Sequence, residues 1–377
     1  MKVVIAPDSF KESLSAKQVC DAIRSGLQRV WPEAEFVSVP VADGGEGTVQ
    51  SLVDATKGHL THIQVQGPQN KPVEAFYGVL GDNNTAVIEM AAASGLHHVP
   101  VEQRDPKTTT SFGTGQLIKH ALDSGMKRLI IGLGGSATND GGIGMLAALG
   151  AEFNDANQQA LAPIGGSLAQ LDSINLDKFD DRLKHCEILV ACDVDNPLCG
   201  LQGATSVFGP QKGATASDIR LLDDALRHFG HLTESITGVS VLDTAGAGAA
   251  GGMGAALLAY TGAQLKPGID IVLDTVNLKE TVQNADIVIT GEGRIDSQTI
   301  FGKTPVGVAK VAKQYHLPVV ALSGCTGDGY QAVYDHGIDA VFSAVPRAMS
   351  LADAMRETDF NLADLAENAA RLINLHR

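Results

Sequence analysis

The chain has 377 residues, 44% apolar and 19% charged, enough length for two hydrophobic cores and none of the composition of a disordered protein. A net charge of −15 argues against nucleic acid or an anionic membrane surface as the main partner, so an anionic ligand must be met by locally placed donors. Five cysteines without a C-x-x-C spacing suit reduced, structural thiols, and MKVVIAPDSF turns polar too early for a signal peptide or a span, so a cytoplasmic protein is expected.

The first sixty residues alternate. KVVIAP reads as a buried strand, SAKQVCDAIRSGLQRVWP as an amphipathic helix, EFVSVPV as a second strand, and ADGGEGT as the opening of a helix to about Ala55. Strand, helix and strand in succession imply parallel pairing with a right-handed crossover. From HIQVQGP through VEAFYGV to AVIEMA the strands are short and closely spaced, as in an antiparallel or mixed sheet. A helix over TGQLIKHALDSG, the strand RLIIGL, a glycine-rich loop, an irregular stretch around 152–185, the strand EILVACDV and helices near 216–237 and 250–261 follow. The opening rhythm then returns in ADIVITGEG, a helix across TPVGVAKVAKQYH, PVVALSG, a further helix, AVFSAV and a closing helix from Leu351. The fold class expected is α/β: a discontinuous flavodoxin-like parallel-sheet domain of residues 1–63 and 285–377, with a mixed α/β domain of residues 64–284 inserted in it.

In such sheets ligands collect at the carboxyl ends of the strands, and here five strand tails deliver carboxylates, hydroxyls or glycines. KVVIAP ends in DSFKES, FVSVPV in ADGGEGT, RLIIGL in GGSATNDGG, ILVACDV in DNPLCG, and DIVITGEG in RIDSQTIFGKT. Asp8, Asp43, Asp140, Asp193, Asp195, Glu292 and Asp296 are oxygen ligands for Mg²⁺ or proton acceptors, although any one of them alone could be a helix cap or turn residue. Asp193 and Asp195, two apart on an extended segment, share a face and could address one metal ion, unless Asp195 is a turn residue before Asn196-Pro197. Lys11, Lys212, Arg294 and Lys303 are the cations of these tails, suited to a phosphate or carboxylate. Residues 132–145, GLGGSATNDGGIGM, hold six glycines, read as an anion-binding turn in which the amides of Gly134, Gly135 and Ser136 face the ligand.

Nucleotide motifs fit poorly. FGKT at 301–304 resembles the end of a phosphate loop, but the required earlier glycine is replaced by Ser297. GAGAAG at 246–251 satisfies G-x-G-x-x-G with Asp270 about twenty residues on, which keeps an NAD-dependent oxidoreductase as a rival reading against a close helix-packing surface.

Taken together, PDSFKESLSA, PVADGGEGT, GLGGSATNDGG, ACDVDNPL, VFGPQKGA and ITGEGRIDSQTIFGKTPVGVA closely resemble the bacterial glycerate kinases of the glycerate 2-kinase type, with fitting spacing over nearly the full chain. The resemblance implies transfer of the γ-phosphoryl group of ATP to D-glycerate, with Mg²⁺, by two α/β domains of which the second interrupts the first. On this basis Asp8, Lys11, Asp193 and Arg294 are expected in catalysis, and Asp193 and Asp195 at the metal. Ser9, Asp43, Gly44, Gly45, Gly134, Gly135, Ser136, Asn139, Asp140, Lys212, Glu292, Asp296 and Lys303 are expected around substrate or phosphate. 2-Phosphoglycerate is the expected product; phosphorylation of the 3-hydroxyl, or of another small hydroxy acid, is the alternative.

Overall fold

In a computed structural model that describes residues 1–375, the chain opens with strands β1 (Lys2–Ile5) and β2 (Glu35–Ser38). It continues through β3 (His59–Gln66), β4 (Pro72–Val79), β5 (Thr85–Glu89), β6 (Arg128–Gly132), β7 (Glu152–Asn154), β8 (Ser173–Asn175), β9 (Glu187–Ala191) and β10 (Gln264–Lys266). It closes with β11 (Ile287–Thr290), β12 (Arg294–Ile295), β13 (Val319–Ser323), β14 (Cys325–Thr326) and β15 (Ala340–Ser343). Contacts divide it into two compact units: residues 1–58 with the chain from Pro267 onward, and His59–Lys266. The segment 267–284, expected in the insert, therefore belongs to the first unit. Its helices Gly268–Thr275 and Leu278–Val282 pack on the helix Thr304–Lys313, which a strand-by-strand reading could not foresee.

The first unit has a five-stranded parallel sheet in the order β15-β13-β11-β1-β2, with β12 and β14 as a separate parallel pair. Numbered within the unit this is 2-1-3-4-5, the flavodoxin-like order, and its switch point lies between β1 and β11. Both faces are covered, so the strands are apolar without alternation: Val3, Val4 and Ile5 are all fully buried. The helix Ala16–Gln28 starts at a capping box between Ser15 and Gln18 and buries Val19, Ile23 and Leu27, at i, i+4 and i+8, in a core shared with Leu362 and Ala366. Two expectations need correction here. The helix expected before β15 is a 3₁₀ segment, Tyr330–His336, and the closing helix is two, Leu351–Arg356 and Thr358–Asn374, broken at Glu357, whose ψ of 12° leaves the helical range.

The second unit has a six-stranded mixed sheet, β10-β9-β6-β5-β4-β3. β3, β4 and β5 pair antiparallel, whereas β5, β6, β9 and β10 run parallel. Ile88, Leu129, Ile131 and Val190 fill its core with Leu117, Met145, Phe229 and Met253 from the covering helices. The irregular stretch 152–185 contains a small antiparallel pair, β7 with β8. Among the described residues no helix is long and apolar enough to cross a membrane.

Candidate functional site

The switch point of the first unit gathers carboxylates. Asp8 follows β1, Asp43 follows β2 and Glu292 follows β11, and the parallel register places these three strand ends side by side. Asp8 is 7% exposed; its Oδ2 accepts from Thr304 Oγ1 at 2.6 Å and its Oδ1 from the Ser9 amide at 2.6 Å and Ser9 Oγ at 3.2 Å. Burial, reinforced by the charge of Asp43, pushes its pKa up to about 6, against hydrogen bonds that favour the ionised form. Glu292 accepts from Thr299 Oγ1 at 2.6 Å and stands 3.7 Å from Lys303 Nζ. Burial raises it to about 7, opposed by Thr299 and Lys303 and helped by Asp8 and Asp43. Two buried carboxyls that titrate near neutrality are poised to exchange protons with a ligand.

The other expected residues of this unit are distributed around that pair. The Gly45 amide donates to Asp43 Oδ1 at 3.0 Å, and buried Gly44 lies between them with φ +96°. Asp296 does not face the carboxyl cluster with a free carboxylate: its Oδ1 accepts the Gln298 amide at 2.8 Å and its Oδ2 lies 3.1 Å from Arg294 Nε. It holds the turn that delivers Thr299 to Glu292. Arg294 is 62% exposed apart from that ion pair, and Lys11 is exposed with no ion pair among the described residues.

In the second unit the glycine-rich stretch divides by cause. Gly141, Gly142 and Gly144 are packing glycines; a Cβ at Gly142 would lie 2.7 Å from Ala256 Cβ, and one at Gly144 2.6 Å from the Phe112 amide. Gly134 and Gly135 are instead exposed, and Gly135 at φ +74° occupies the left-handed region that a side chain disfavours. Among the described residues the amides of Gly134, Gly135 and Ser136 donate to no backbone acceptor, so an open row of N–H groups follows β6. Beneath it lies Lys212, 2% exposed, donating from Nζ to Ser136 Oγ at 2.8 Å and to the Thr138 carbonyl at 2.6 Å. Burial lowers its pKa to about 7, opposed by the charge of Asp140. Because Ser136 Oγ accepts from the ammonium, its own proton is free to point outward. Lone amides, an oriented hydroxyl and a buried cation are the donors from which an anion cradle could be made.

Asn139 and Asp140, expected to contact substrate, are both fully buried. Asp140 accepts from the Ser111 amide and hydroxyl at 2.7 Å each, from Gly142 at 3.0 Å and from Gly144 at 3.3 Å, while Asn139 Nδ2 donates to Thr205 Oγ1 at 2.9 Å. They shape the loop from below and have no surface left for a ligand.

Asp193 and Asp195 are exposed on the extended segment after β9, whose end is in register with that of β6 beside the cradle. Among the described residues no three His, Cys, Asp or Glu side chains gather as a metal cage. A pair of exposed carboxylates fits Mg²⁺ bound together with phosphates, because that ion keeps most of its shell as water and substrate oxygens.

A family model described as the glycerate kinase family matches residues 3–374. The chain belongs to the glycerate kinase family. It is 56% identical over 375 residues to the glycerate kinase of Bacillus subtilis strain 168, covering 100% of this chain and 98% of that one. It is 54% identical to the glycerate 2-kinase of Escherichia coli K12, covering 98% and 97%. A crystal structure assigned as glycerate kinase 2 from Salmonella typhimurium LT2 superposes with a TM-score of 0.93 at 53% identity, over 100% of this chain and 99% of that one.

For a glycerate kinase, the oxidoreductase reading of 246–251 falls away on the fold as well. No strand precedes GAGAAG, and its glycines serve close packing: Gly251 has φ +68°, and a Cβ there would collide with the Thr138 carbonyl, the same one that receives Lys212. The motif supports the loop that Lys212 bonds to. Sequence reasoning missed Thr299 and Thr304, which hold Glu292 and Asp8, and Ser111, which holds Asp140. All three are hydroxyl residues in ordinary loop or cap contexts, and only tertiary contact distinguishes them.

Proposed function

We propose that the chain transfers the γ-phosphoryl group of ATP to the 2-hydroxyl of D-glycerate, giving 2-phosphoglycerate and ADP. The observation that carries this reading is the buried Lys212 under the open amides of Gly134, Gly135 and Ser136, a place whose desolvation cost an incoming anion offsets. The name of the Escherichia coli relative supports the choice of hydroxyl. Phosphoryl transfer asks a protein mainly to position reactants and neutralise charge. The cradle would hold an anionic group of glycerate or of the nucleotide. Asp8, with its pKa near 6, would accept the hydroxyl proton as the substrate oxygen bonds to the γ-phosphorus and the bridging oxygen leaves with ADP. Lys303 and the exposed cations Lys11 and Arg294 would offset phosphate charge. Asp193 and Asp195 would hold Mg²⁺, which would supply neutralisation of phosphate charge.

With ATP, Mg²⁺ and D-glycerate, coupling to enolase in the absence of phosphoglycerate mutase is expected to give phosphoenolpyruvate. A signal that appears only after the mutase is added would mean that the 3-hydroxyl is the acceptor. No ADP formation with glycerate under either condition would refute the kinase reading itself.

Asp193→Asn is expected to lower turnover more than threefold and to raise the Mg²⁺ concentration needed for half activity, because one of two metal-directed carboxylates is lost. A Mg²⁺ titration that leaves both quantities within threefold of the unsubstituted enzyme would remove Asp193 from the metal site.

A further inference from the structure

The first unit contains a cavity of about 120 Å³ at the carboxyl edge of its sheet, beyond the carboxylate cluster. Its walls are largely apolar: Phe10, Ala344, Val345, Leu351, Ala354 and Met355. An apolar cavity of roughly 150 Å³ takes one benzene ring, so this one has room for a single flat ring system and not for a whole nucleotide. Leu351 and Val345 remain 72% and 40% exposed at its mouth, large apolar side chains with none of the described residues covering them.

One polar side chain in the wall stands out. Asn361 is 5% exposed, lies inside the helix Thr358–Asn374 and lines the cavity. Its backbone amide donates to the Glu357 carbonyl, but among the described residues its carboxamide has no hydrogen-bond partner. With no partner among the described residues, its N–H and C=O are open to an acceptor and a donor on a ligand seated in the cavity. A carboxamide presents one N–H and one C=O side by side, the complement of the adenine edge with its N7 acceptor and N6 donor; guanine offers two acceptors on that edge.

The cavity also continues the reaction site along the chain. Phe10 and Lys11 stand two and three residues after Asp8, and Gly293 directly follows Glu292. A ring seated here therefore has its attached phosphates on the same two loops as the carboxyl cluster, Lys11 and Lys303.

We propose that this cavity is the purine-base site of the nucleotide, with Asn361 reading the adenine edge. The proposal rests on the reading of the chain as an ATP-dependent kinase, which is tested first by the wild-type reaction. Asn361→Leu keeps the branched four-atom outline of the side chain and removes the edge contacts, and Ala354→Phe fills the mouth from a partly exposed helix position. In steady-state kinetics with ATP, GTP and D-glycerate, both variants are expected to raise the KM for ATP at least tenfold and to leave the KM for glycerate within twofold. Asn361→Leu should in addition collapse the preference for ATP over GTP, which a merely structural loss would not do. If Asn361→Leu fails to fold, Ala354→Phe decides alone. A folded variant with an unchanged KM for ATP, or an intact ATP to GTP ratio in folded Asn361→Leu, overturns the base site and leaves the kinase reading standing. Absence of ATP-dependent phosphorylation in the wild type overturns both.

Discussion

Asp8→Asn is expected to lower kcat by about 10²- to 10⁴-fold, the range that a positioned general base contributes. Asp8 is the carboxylate at the flavodoxin-like switch point whose orientation is most completely determined, by Thr304 on one oxygen and Ser9 on the other. Asparagine keeps the shape and one acceptor but cannot take a proton. The loss would not come from unfolding. Folded Asp8 titrates at about 6 against an ordinary 3.8, so over that interval the folded state binds more protons than the unfolded one, and stability falls as pH rises through it. Removing the ionisable group removes that penalty, so the thermal midpoint of Asp8→Asn near pH 7 should equal or exceed that of the wild type. The acid limb of kcat/KM should change as well, because Asp8, raised to about 6, must be ionised to accept the proton. A folded variant with kcat within tenfold of wild type would assign the proton transfer elsewhere.

Lys212→Met should lower kcat/KM about ten- to a hundredfold, since a hydrogen bond from a charged group contributes about 1.5–3 kcal/mol. Methionine fills the tunnel of the buried stem but leaves Ser136 unoriented and the open amides without a cation beneath them. Asp140 keeps its four donors, so the substitution does not strand a buried carboxylate. The pH dependence has a definite sign. Folded Lys212 titrates at about 7 against an ordinary 10.5, so between these values the unfolded state binds more protons and stability rises with pH. Lys212→Met should abolish that rise. Activity runs the other way, because only the protonated lysine serves the anion: kcat/KM of the wild type should fall as pH rises above about 7, and the variant should lack this alkaline limb. A variant with wild-type kcat/KM and an unchanged limb would show that Lys212 serves only the packing of its loop.

Much of this was legible in residue order. Unbroken apolar strands such as Val3-Val4-Ile5, helices with i, i+4 periodicity and polar strand tails follow from local sterics and from the need to cover both faces of a parallel sheet, so alternation and fold class are local information. The tails also supply the polar groups, because whatever residues follow a strand are delivered at its carboxyl end, and Asp8, Asp43, Glu292 and the 134–136 amides, proposed above for the site, are such residues. What the sequence could not contain is which of several like residues meet. Asp140 and Asp8 are both aspartates after a strand, yet one is sealed by four donors and the other keeps a titratable face. The glycines of 132–145 look alike in order, and only the approach of Phe112 and Ala256 separates the packing ones from the open ones. Lys212, an ordinary lysine in VFGPQKGA, becomes a neutral-range cation because distant segments exclude water from it. Charge, pKa and exposure depend on surroundings assembled from residues remote in the chain, so composition and spacing determine the fold class and the supply of functional groups, while tertiary packing alone decides which groups face a ligand.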